Sequence, residues 1–261
     1  MSNEEIKWEI KSDYIHSLAE KGSRQDNRKM DEYRKIEITT DYLPNALGSA
    51  MVRFGDTQVL AGVTMEVGTP YPDSPASGVL RTGCELVPMA SPEFESGPPR
   101  PPAVELARVI DRGLRESNAI DFDKLCIKEG EEVWMIMVDV HVLDYDGNVF
   151  DAGELASTAA LLNTKMPKYE DGTLDRKEAK DKLPMTKKPV ECTFVKIGKQ
   201  IMLDPMLEEE KSMDARLTFA TTDKGDLCAV QKGGCGSLTE EEIMSAFDIA
   251  VDKGKELRKL L

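Results

Sequence analysis

The stretch Val133–Asn163, VWMIMVDVHVLDYDGNVFDAGELASTAALLN, decides the fold of this chain. Its first eight residues alternate along a strand and are apolar on both faces except at Asp139, which predicts a strand covered on both sides. A turn is predicted at Asp146-Gly147-Asn148, because Gly and Asn tolerate a positive φ. The last part predicts a helix from about Glu154 to Asn163 that is apolar almost all round and therefore interior.

The entrance to this helix raises the main functional question. The segment Asp151-Ala152-Gly153 leads into it. A helix N-terminus that follows a Gly-containing turn presents backbone N–H groups that can hold a phosphate. The residues at this entrance therefore decide whether the chain can bind phosphate.

Composition limits the possible functions. The 261 residues carry 48 acidic and 34 basic side chains, a net charge of −14, so any nucleic-acid contact must use a local basic patch. With no run of 18 apolar residues and no signal-like N-terminus, we expect a cytoplasmic protein that makes no membrane contact. The five cysteines and two histidines lack metal-ligand spacing. We therefore expect reduced thiols and neither a metal nor a cofactor.

The chain divides into an N-terminal helix (1–22), a first half (23–165), a charged connection (166–188) and a second half (189–261). Val52–Gly55 and the strand after it resemble Phe194–Gly198 and the strand after it. Each pair is followed by a loop, a further strand and a helix. This weak repeat predicts two related α/β halves packed as one unit.

A second helix, predicted from about Ala103 to Ser117, carries Arg108, Arg112 and Arg115 at positions i, i+4 and i+7. Arginines on one helix face can form a row that binds phosphate groups. The same spacing fits a solvated face whose arginines pair with neighbouring acids, and the spacing alone leaves both interpretations open. Those acids are Glu105, Asp111 and Glu116.

Four segments together resemble the RNase PH-type subunits of the archaeal exosome, and among those the non-catalytic subunit. They are Arg24-x-Asp26-x-Arg28-x-x-Asp31-x-x-Arg34, Gly48-Ser-Ala-x-Val52-x-x-Gly55-x-Thr57-x-Val59-Leu-Ala61, Arg108-Val-Ile-Asp-Arg112-Gly-Leu-Arg115, and Asp204-Pro205-x-x-Glu208-Glu209 before Asp214. By composition alone, the first would be a solvated loop with surface salt bridges. The resemblance makes Arg24 and Arg28 fold-supporting and interface-forming residues. Asn27 stands where the family usually has Gly, and Asn also tolerates a left-handed backbone.

The resemblance implies an α/β (α+β) fold of two related β-α halves with mixed sheets around central helices. It also implies an activity and its requirements. Active members of the family cleave the 3′ end of RNA with inorganic phosphate and release nucleoside diphosphates. They hold phosphate at the central helix with a Gly-Gly-Thr-Arg-like turn. An acidic residue near the equivalent of Asp214 assists as general acid or metal ligand.

This sequence departs from that pattern at the phosphate site. Glu154-Leu155 stands where active members place Thr-Arg, so Gly153, Glu154 and Leu155 form a degenerate phosphate site. A carboxylate there repels phosphate by about 1–4 kcal/mol per contact at ~4 Å. If Glu154 lies on the first helical turn, it stabilises the helix by ~0.3–1 kcal/mol. Asp214 is the retained family acid, interpreted as a remnant without catalytic function.

The resemblance also implies partners. The subunit alternates with a catalytic RNase PH-type subunit in a hexameric ring of three heterodimers, with RNA-binding cap subunits on one face. Arg112, Arg115 and Arg108 would then border the path of single-stranded RNA, contacting phosphates without reading sequence. The alternative is an active phosphate-dependent 3′-5′ exoribonuclease. A metabolic α/β enzyme is disfavoured because no nucleotide-binding Gly-rich loop or triad-like set is present.

Overall fold

A computed structural model describes residues 3–170, 172–175, 178–179 and 181–261, with side chains from residue 10 onward. The described helices are α1 (Asn3–Glu20), α2 (Pro101–Glu116), α3 (Val149–Leu162), α4 (Leu207–Lys211) and α5 (Glu240–Arg258), with a 3₁₀ turn at Phe122–Leu125. None of these helices is long and apolar enough to cross a membrane.

The first sheet is mixed. Its strands are β1 (Ile36–Thr40), β2 (Gly48–Phe54), β3 (Thr57–Gly68), β4 (Val79–Leu86), β5 (Cys126–Lys128) and β6 (Glu132–Asp144). The order is β1-β2-β3-β6-β4, with β5 also pairing with β6. Strands β4 and β6 are parallel and the other pairs are antiparallel. The long central strand β6 therefore organises this half, as its hydrophobic pattern predicts.

The second sheet is antiparallel. It contains β11 (Val190–Ile197), β12 (Gln200–Leu203), β13 (Ala215–Thr221) and β14 (Leu227–Gly234) in the order β12-β11-β13-β14. Between the two sheets in sequence, the short strands β7 (Lys165–Met166), β8 (Lys168–Glu170), β9 (Thr173–Asp175) and β10 (Asp181–Lys182) pair locally. Part of the charged connection, residues 171, 176, 177 and 180, lies outside the described residues.

Helix α3 occupies the centre of the molecule. It packs against β2, β3 and β6 of the first sheet and against β11 of the second. All of its residues from Val149 to Leu161 are buried. Helix α2 lies between β4 and β14, and α5 covers β11 and β13. The sequence prediction of an interior helix and of an α/β fold with mixed sheets is confirmed.

The repeat is visible as two matching hairpins. The turn after β2 places Gly55 at φ 57°, and the turn after β11 places Gly198 at φ 59°. The sheets then differ in the strand that extends each hairpin. In the first sheet β6 pairs with β3, the second strand of its hairpin, whereas in the second sheet β13 pairs with β11, the first strand of its hairpin. The hairpin is thus repeated, but the strand order around it is not.

One prediction for the central strand is wrong. The face of β6 that carries Asp139 is covered only near the start of the strand, and Asp139 itself is exposed. The acidic segment before Asp214 contains α4, and the glycine-rich segment after Gln231 begins inside β14. In these two segments, pairing or packing with a distant part of the chain overrides the local signal of charged residues or glycines.

Candidate functional site

Helix α3 begins earlier than its sequence suggests. Its first helical residue is Val149, not Glu154, and Asn148 caps it with φ 52°. Asp151, not Glu154, is the acidic residue of the first turn, so the predicted dipole contribution of Glu154 is wrong. The apolar run hid this boundary, because Val149 and Phe150 continue into a helix that tertiary contacts stabilise on every side.

The N-terminus of α3 is closed by the chain's own polar groups. The backbone N–H of Asn148 donates to Glu210 Oε2 at 2.8 Å. The side-chain amide of Asn148 donates to Asp204 Oδ1 at 2.7 Å and to Asp151 Oδ2 at 3.0 Å. The whole first turn is buried. A phosphate arriving from solvent would find acidic oxygens at this helix end and no exposed N–H donor.

Burial explains the pKa of Asp151. Its Oδ2 accepts hydrogen bonds from the Thr193 N–H and the Tyr33 hydroxyl, both at 3.0 Å. Removal from water raises the pKa of Asp151 to about 7, although the bonds from Thr193 and Asn148 oppose this effect. The cap of α3 therefore contains a carboxyl group that titrates near neutral pH.

The three residues of the degenerate phosphate site lie in the second turn, inside the core. Leu155 is fully buried. A Cβ added at Gly153 would lie 2.8 Å from Ile110 Cδ1, so the glycine allows α2 to approach α3. Glu154 is also 0% exposed, and it faces Gly113 of α2, where an added Cβ would lie 2.9 Å from Glu154 Oε1.

Glu154 belongs to a buried pair of carboxyl groups. Neither of its side-chain oxygens has a hydrogen-bond partner within the described chain, and the same holds for Glu191 of β11. Burial raises the pKa of both groups far above the ordinary value, and for Glu154 the neighbouring Glu191 charge adds to the effect. Arg112 and Arg216 act in the opposite direction on Glu191. Both carboxyl groups therefore keep their protons to higher pH than an exposed glutamate does.

A chain of hydrogen bonds joins α2 to the second sheet above this pair. Arg112 Nη2 donates to Gln231 Oε1 at 2.6 Å, and Gln231 Nε2 donates to Glu105 Oε1 at 2.9 Å. The same oxygen of Glu105 accepts from Arg216 Nη2 at 2.6 Å. Arg216 also lies over the ring of Phe150, 4.0 Å from its centroid. Arg112 is thus fixed by the second half of the molecule.

The three arginines of α2 have different surroundings. Arg108 is exposed, and with Arg112 and Gln231 it lines a cavity of about 530 Å³, which we call the arginine cavity. Arg115 points toward the first sheet, where it donates to both oxygens of Asp111 at 2.9 and 3.0 Å and to the Leu80 carbonyl at 3.0 Å. The pairing with a neighbouring acid is therefore observed for Arg115, and phosphate binding by Arg108 and Arg112 stays a prediction.

Asp214 is separated from the other predicted site residues. It precedes β13, and its Oδ2 accepts from the Gly198 N–H of the β11–β12 turn at 2.7 Å. Glu191 pairs with Ala220, and Lys196 pairs with Ala215, the residue after Asp214. Five residues of strand correspond to about 17 Å between these two levels of the sheet. The retained acid and Glu154 do not meet.

The Arg24–Arg34 segment forms a buried ionic network around Asp204, unlike the solvated loop that its composition alone suggests. Arg34 donates to Asp204 through its backbone N–H and its side chain at 2.8–3.0 Å, and Arg28 donates at 3.0 Å. Arg24 bonds the Asp204 carbonyl at 2.8 Å and pairs with buried Glu209. This network joins the N-terminal motif to the second half. The left-handed backbone expected at Asn27 is present, with φ 61°.

Comparison with known proteins identifies the family. The model of the 3′ exoribonuclease family matches its domain 1 over residues 32–167 and its domain 2 over residues 188–253. The chain belongs to the 3′ exoribonuclease family. The RNase PH-type resemblance found in the sequence is thereby confirmed.

Relatives within the family match over almost the full chain. The Exosome complex component Rrp42 of Methanocella arvoryzae is 49% identical over 99% of this chain and 98% of its own. Its counterpart in Thermococcus gammatolerans is 50% identical over 100% and 97%. A solved Archaeoglobus fulgidus exosome with RNA bound to the active site contains a chain with TM-score 0.92 and 44% identity, covering 97% of this chain and 98% of that one.

Sequence reasoning within the family pattern missed four residues that surround Arg112 and Glu154. These are Glu105, Glu191, Arg216 and Gln231, of which Glu105 accepts hydrogen bonds from Arg216 and Gln231 in the second half of the chain. One signal was available, since Glu191 stands between Val190 and Cys192 in a strand that reads as buried. Among the described residues, no group of three or more His, Cys, Asp or Glu is arranged to hold a metal ion.

Proposed function

We propose that this chain is a non-catalytic ring subunit of an archaeal exosome, acting in 3′-to-5′ RNA degradation. The relatives named above carry that complex in their names, and the match extends over nearly the whole chain. The observation that carries the non-catalytic part is the closed N-terminus of α3, the helix end at which an active member would hold phosphate, where Asn148 binds Glu210 and Asp204. In the next turn, Glu154 lies fully buried beside Glu191.

Two independent features oppose phosphate capture. The first turn of α3 is buried and its cap binds Glu210 and Asp204. A phosphate at Glu154 would have to displace packed protein and approach two carboxyl groups without a water-exposed donor. Asp214, about 17 Å away along the sheet, cannot act on a phosphate bound there. The alternative of an active exoribonuclease therefore gains no support.

The RNA-binding role belongs to the arginine cavity. Arg108 is exposed at its rim, and Arg112 is fixed in its wall by Gln231. Among the described residues neither guanidinium group forms a salt bridge with a carboxylate, although the charge of Arg112 acts on buried Glu191, so we expect both to neutralise RNA phosphates. Arg115 is weaker as a candidate because Asp111 already binds it.

The proposed partners follow from the same assignment. The chain would alternate with a catalytic RNase PH-type subunit as three heterodimers in a hexameric ring, with RNA-binding cap subunits on one face. It would structure the neighbouring active site and border the RNA path. We propose a cytoplasmic location for this assembly.

The deciding experiment is phosphate-dependent digestion of 5′-labelled poly(A) by the chain alone and by the chain mixed with a catalytic subunit. We expect no shortening by the chain alone and a rate with the mixture above that of the partner alone. Release of ADP by the chain alone would contradict the assignment. In the mixture, Arg108→Glu should weaken RNA binding at least five-fold without affecting assembly. Lys124→Glu, an exposed control that does not line the arginine cavity, should not weaken it.

A further inference from the structure

A second cavity, of about 420 Å³, lies at the C-terminal end of α5. Five of its lining residues are cations, and we call it the basic pocket: Lys187, Lys188, Lys255, Arg258 and Lys259. Asp223 is the one acid in its lining. Such clustering is unusual in a chain whose net charge is −14.

Hydrogen bonds to oxygen atoms hold the deeper cations in place. Lys187 Nζ donates to the Ser117 carbonyl at 2.7 Å. Lys188 Nζ donates to the Leu261 main-chain oxygen at 3.3 Å. The Arg258 side chain, 8% exposed, bonds the Lys188 carbonyl at 2.8 Å and the Thr221 hydroxyl at 2.7 Å. These bonds fix the positions of the charged groups while leaving most of their charge uncompensated.

The carboxylates nearby do not neutralise the basic pocket. Asp223 Oδ1 lies 3.7 Å from Arg258 Nε. Asp252 pairs with Lys255 at 2.8 Å on the exposed side of α5. Five cations against two carboxylates leave an excess of three positive charges. A terminal carboxylate at Leu261, counted as a third acid, would still leave the pocket cationic.

The basic pocket lies next to the C-terminal end of α2. Ser117, which holds Lys187, follows the last residue of α2. From Arg108 to Ser117 the helix rises about 14 Å, so the basic pocket lies roughly one and a half nanometres beyond the rim of the arginine cavity. None of the described residues that line it is aromatic, so the pocket offers cations for a phosphate and no ring for stacking a base.

We propose that the basic pocket binds phosphate groups, either those of an RNA strand or free inorganic phosphate. This site is separate from the arginine cavity and from the degenerate site at Glu154. The competing explanation is structural: cations at the end of α5 offset the negative end of the helix dipole. That explanation covers Lys255, Arg258 and the C-cap residue Lys259, but it gives no role to Lys187 and Lys188, which lie outside α5. The ammonium of Lys259 has no partner within the described part of the chain.

The test uses the full chain with Lys255→Gln and Lys259→Gln combined, since both side chains are exposed and their loss leaves the core intact. The matched control combines Lys124→Gln with Lys128→Gln, two exposed lysines that also pair with nearby acids. Fluorescence anisotropy with a labelled oligoadenylate measures RNA affinity against salt concentration. Calorimetric titration with inorganic phosphate forms the second arm.

If RNA is the ligand, the pocket variant loses at least five-fold in affinity at low salt. The slope of log K against log salt then falls by about 1.4, because each lost phosphate contact on a single strand accounts for about 0.7. If free phosphate is the ligand, only the calorimetric signal is lost. An unchanged variant in both arms, or an equal loss in the control, overturns the proposal. Arg108→Gln in the same RNA assay tests the arginine cavity separately, so failure of one site is distinguishable from failure of the other.

Discussion

Glu154 of α3 lies directly against Gly113 of α2. A Cβ at residue 113 would lie 2.9 Å from Glu154 Oε1 and 3.1 Å from its carboxyl carbon. The two helices thus meet at a glycine of α2 and a buried glutamate of α3. In this chain the arginine helix and the degenerate phosphate site form one packed unit.

This contact predicts a coupling between the two positions. Gly113→Ala should lower the free energy of unfolding by about 1–3 kcal/mol, because the buried Glu154 has little room to move. With Glu154→Ser also present, the space opens, and the helix propensity of Ala over Gly, about 1 kcal/mol, should make the same change neutral or stabilising. A double-mutant cycle by chemical denaturation measures the coupling, and equal effects in both backgrounds would show that the contact is unimportant.

The raised pKa of Glu154 predicts how stability depends on pH. The folded chain keeps this proton to higher pH than the unfolded chain, so stability falls as pH rises above the ordinary glutamate value. Glu154→Gln removes that loss. We expect the melting temperature of this variant to equal that of the parent near pH 4 and to be higher at pH 8. The corresponding difference in the free energy of unfolding is about 1.4 kcal/mol per unit of pKa shift. Glu131→Gln, an exposed control, should show no such trend.

The network at Asp204 predicts the opposite dependence. Burial alone would raise the pKa of Asp204, but the hydrogen bonds and charges of Arg34 and the charge of Arg28 lower it overall. Its stabilisation is therefore present above the unfolded pKa of ~3.9 and is lost as pH falls through the lower folded value. Asp204→Asn should cost about 3–5 kcal/mol at neutral pH, because it leaves buried arginines without their acid. Urea denaturation of this variant beside Glu37→Gln, which breaks an exposed pair, measures the difference; similar small losses in both would argue against the network.

The contact between Gln231 and Arg112 predicts that RNA affinity can fall without any change in its salt dependence. Gln231 fixes Arg112 in the wall of the arginine cavity through the 2.6 Å bond. Gln231→Ala should weaken RNA binding two- to five-fold while leaving the salt slope unchanged, because no cation is removed. Arg112→Gln should weaken binding and also lower the slope by about 0.7. Anisotropy titrations over a range of salt concentrations distinguish these outcomes, and an unchanged affinity in Gln231→Ala would exclude the positioning role.

Local patterns were sufficient for some features of the site and insufficient for others. The interior position of α3 followed from its apolar composition, and the left-handed residue at Asn27 from its side-chain type. The start of α3 did not, since buried apolar residues before a helix read the same as those inside it. The Arg24–Arg34 segment looked like a solvated surface because its acid partners, Asp204 and Glu209, lie about 180 residues away in sequence.

By itself, the sequence determined the family and the interior position of the central helix. Those features depend only on residue type and on spacing between residues that are close in sequence. Only the tertiary structure decided that Glu154 faces Glu191 and Gly113, that Arg112 is held by Gln231, and that Asp214 stands apart. Strand pairing and helix packing set these distances between residues remote in sequence. The same packing excludes water, which gives the buried carboxyl groups their raised pKa values.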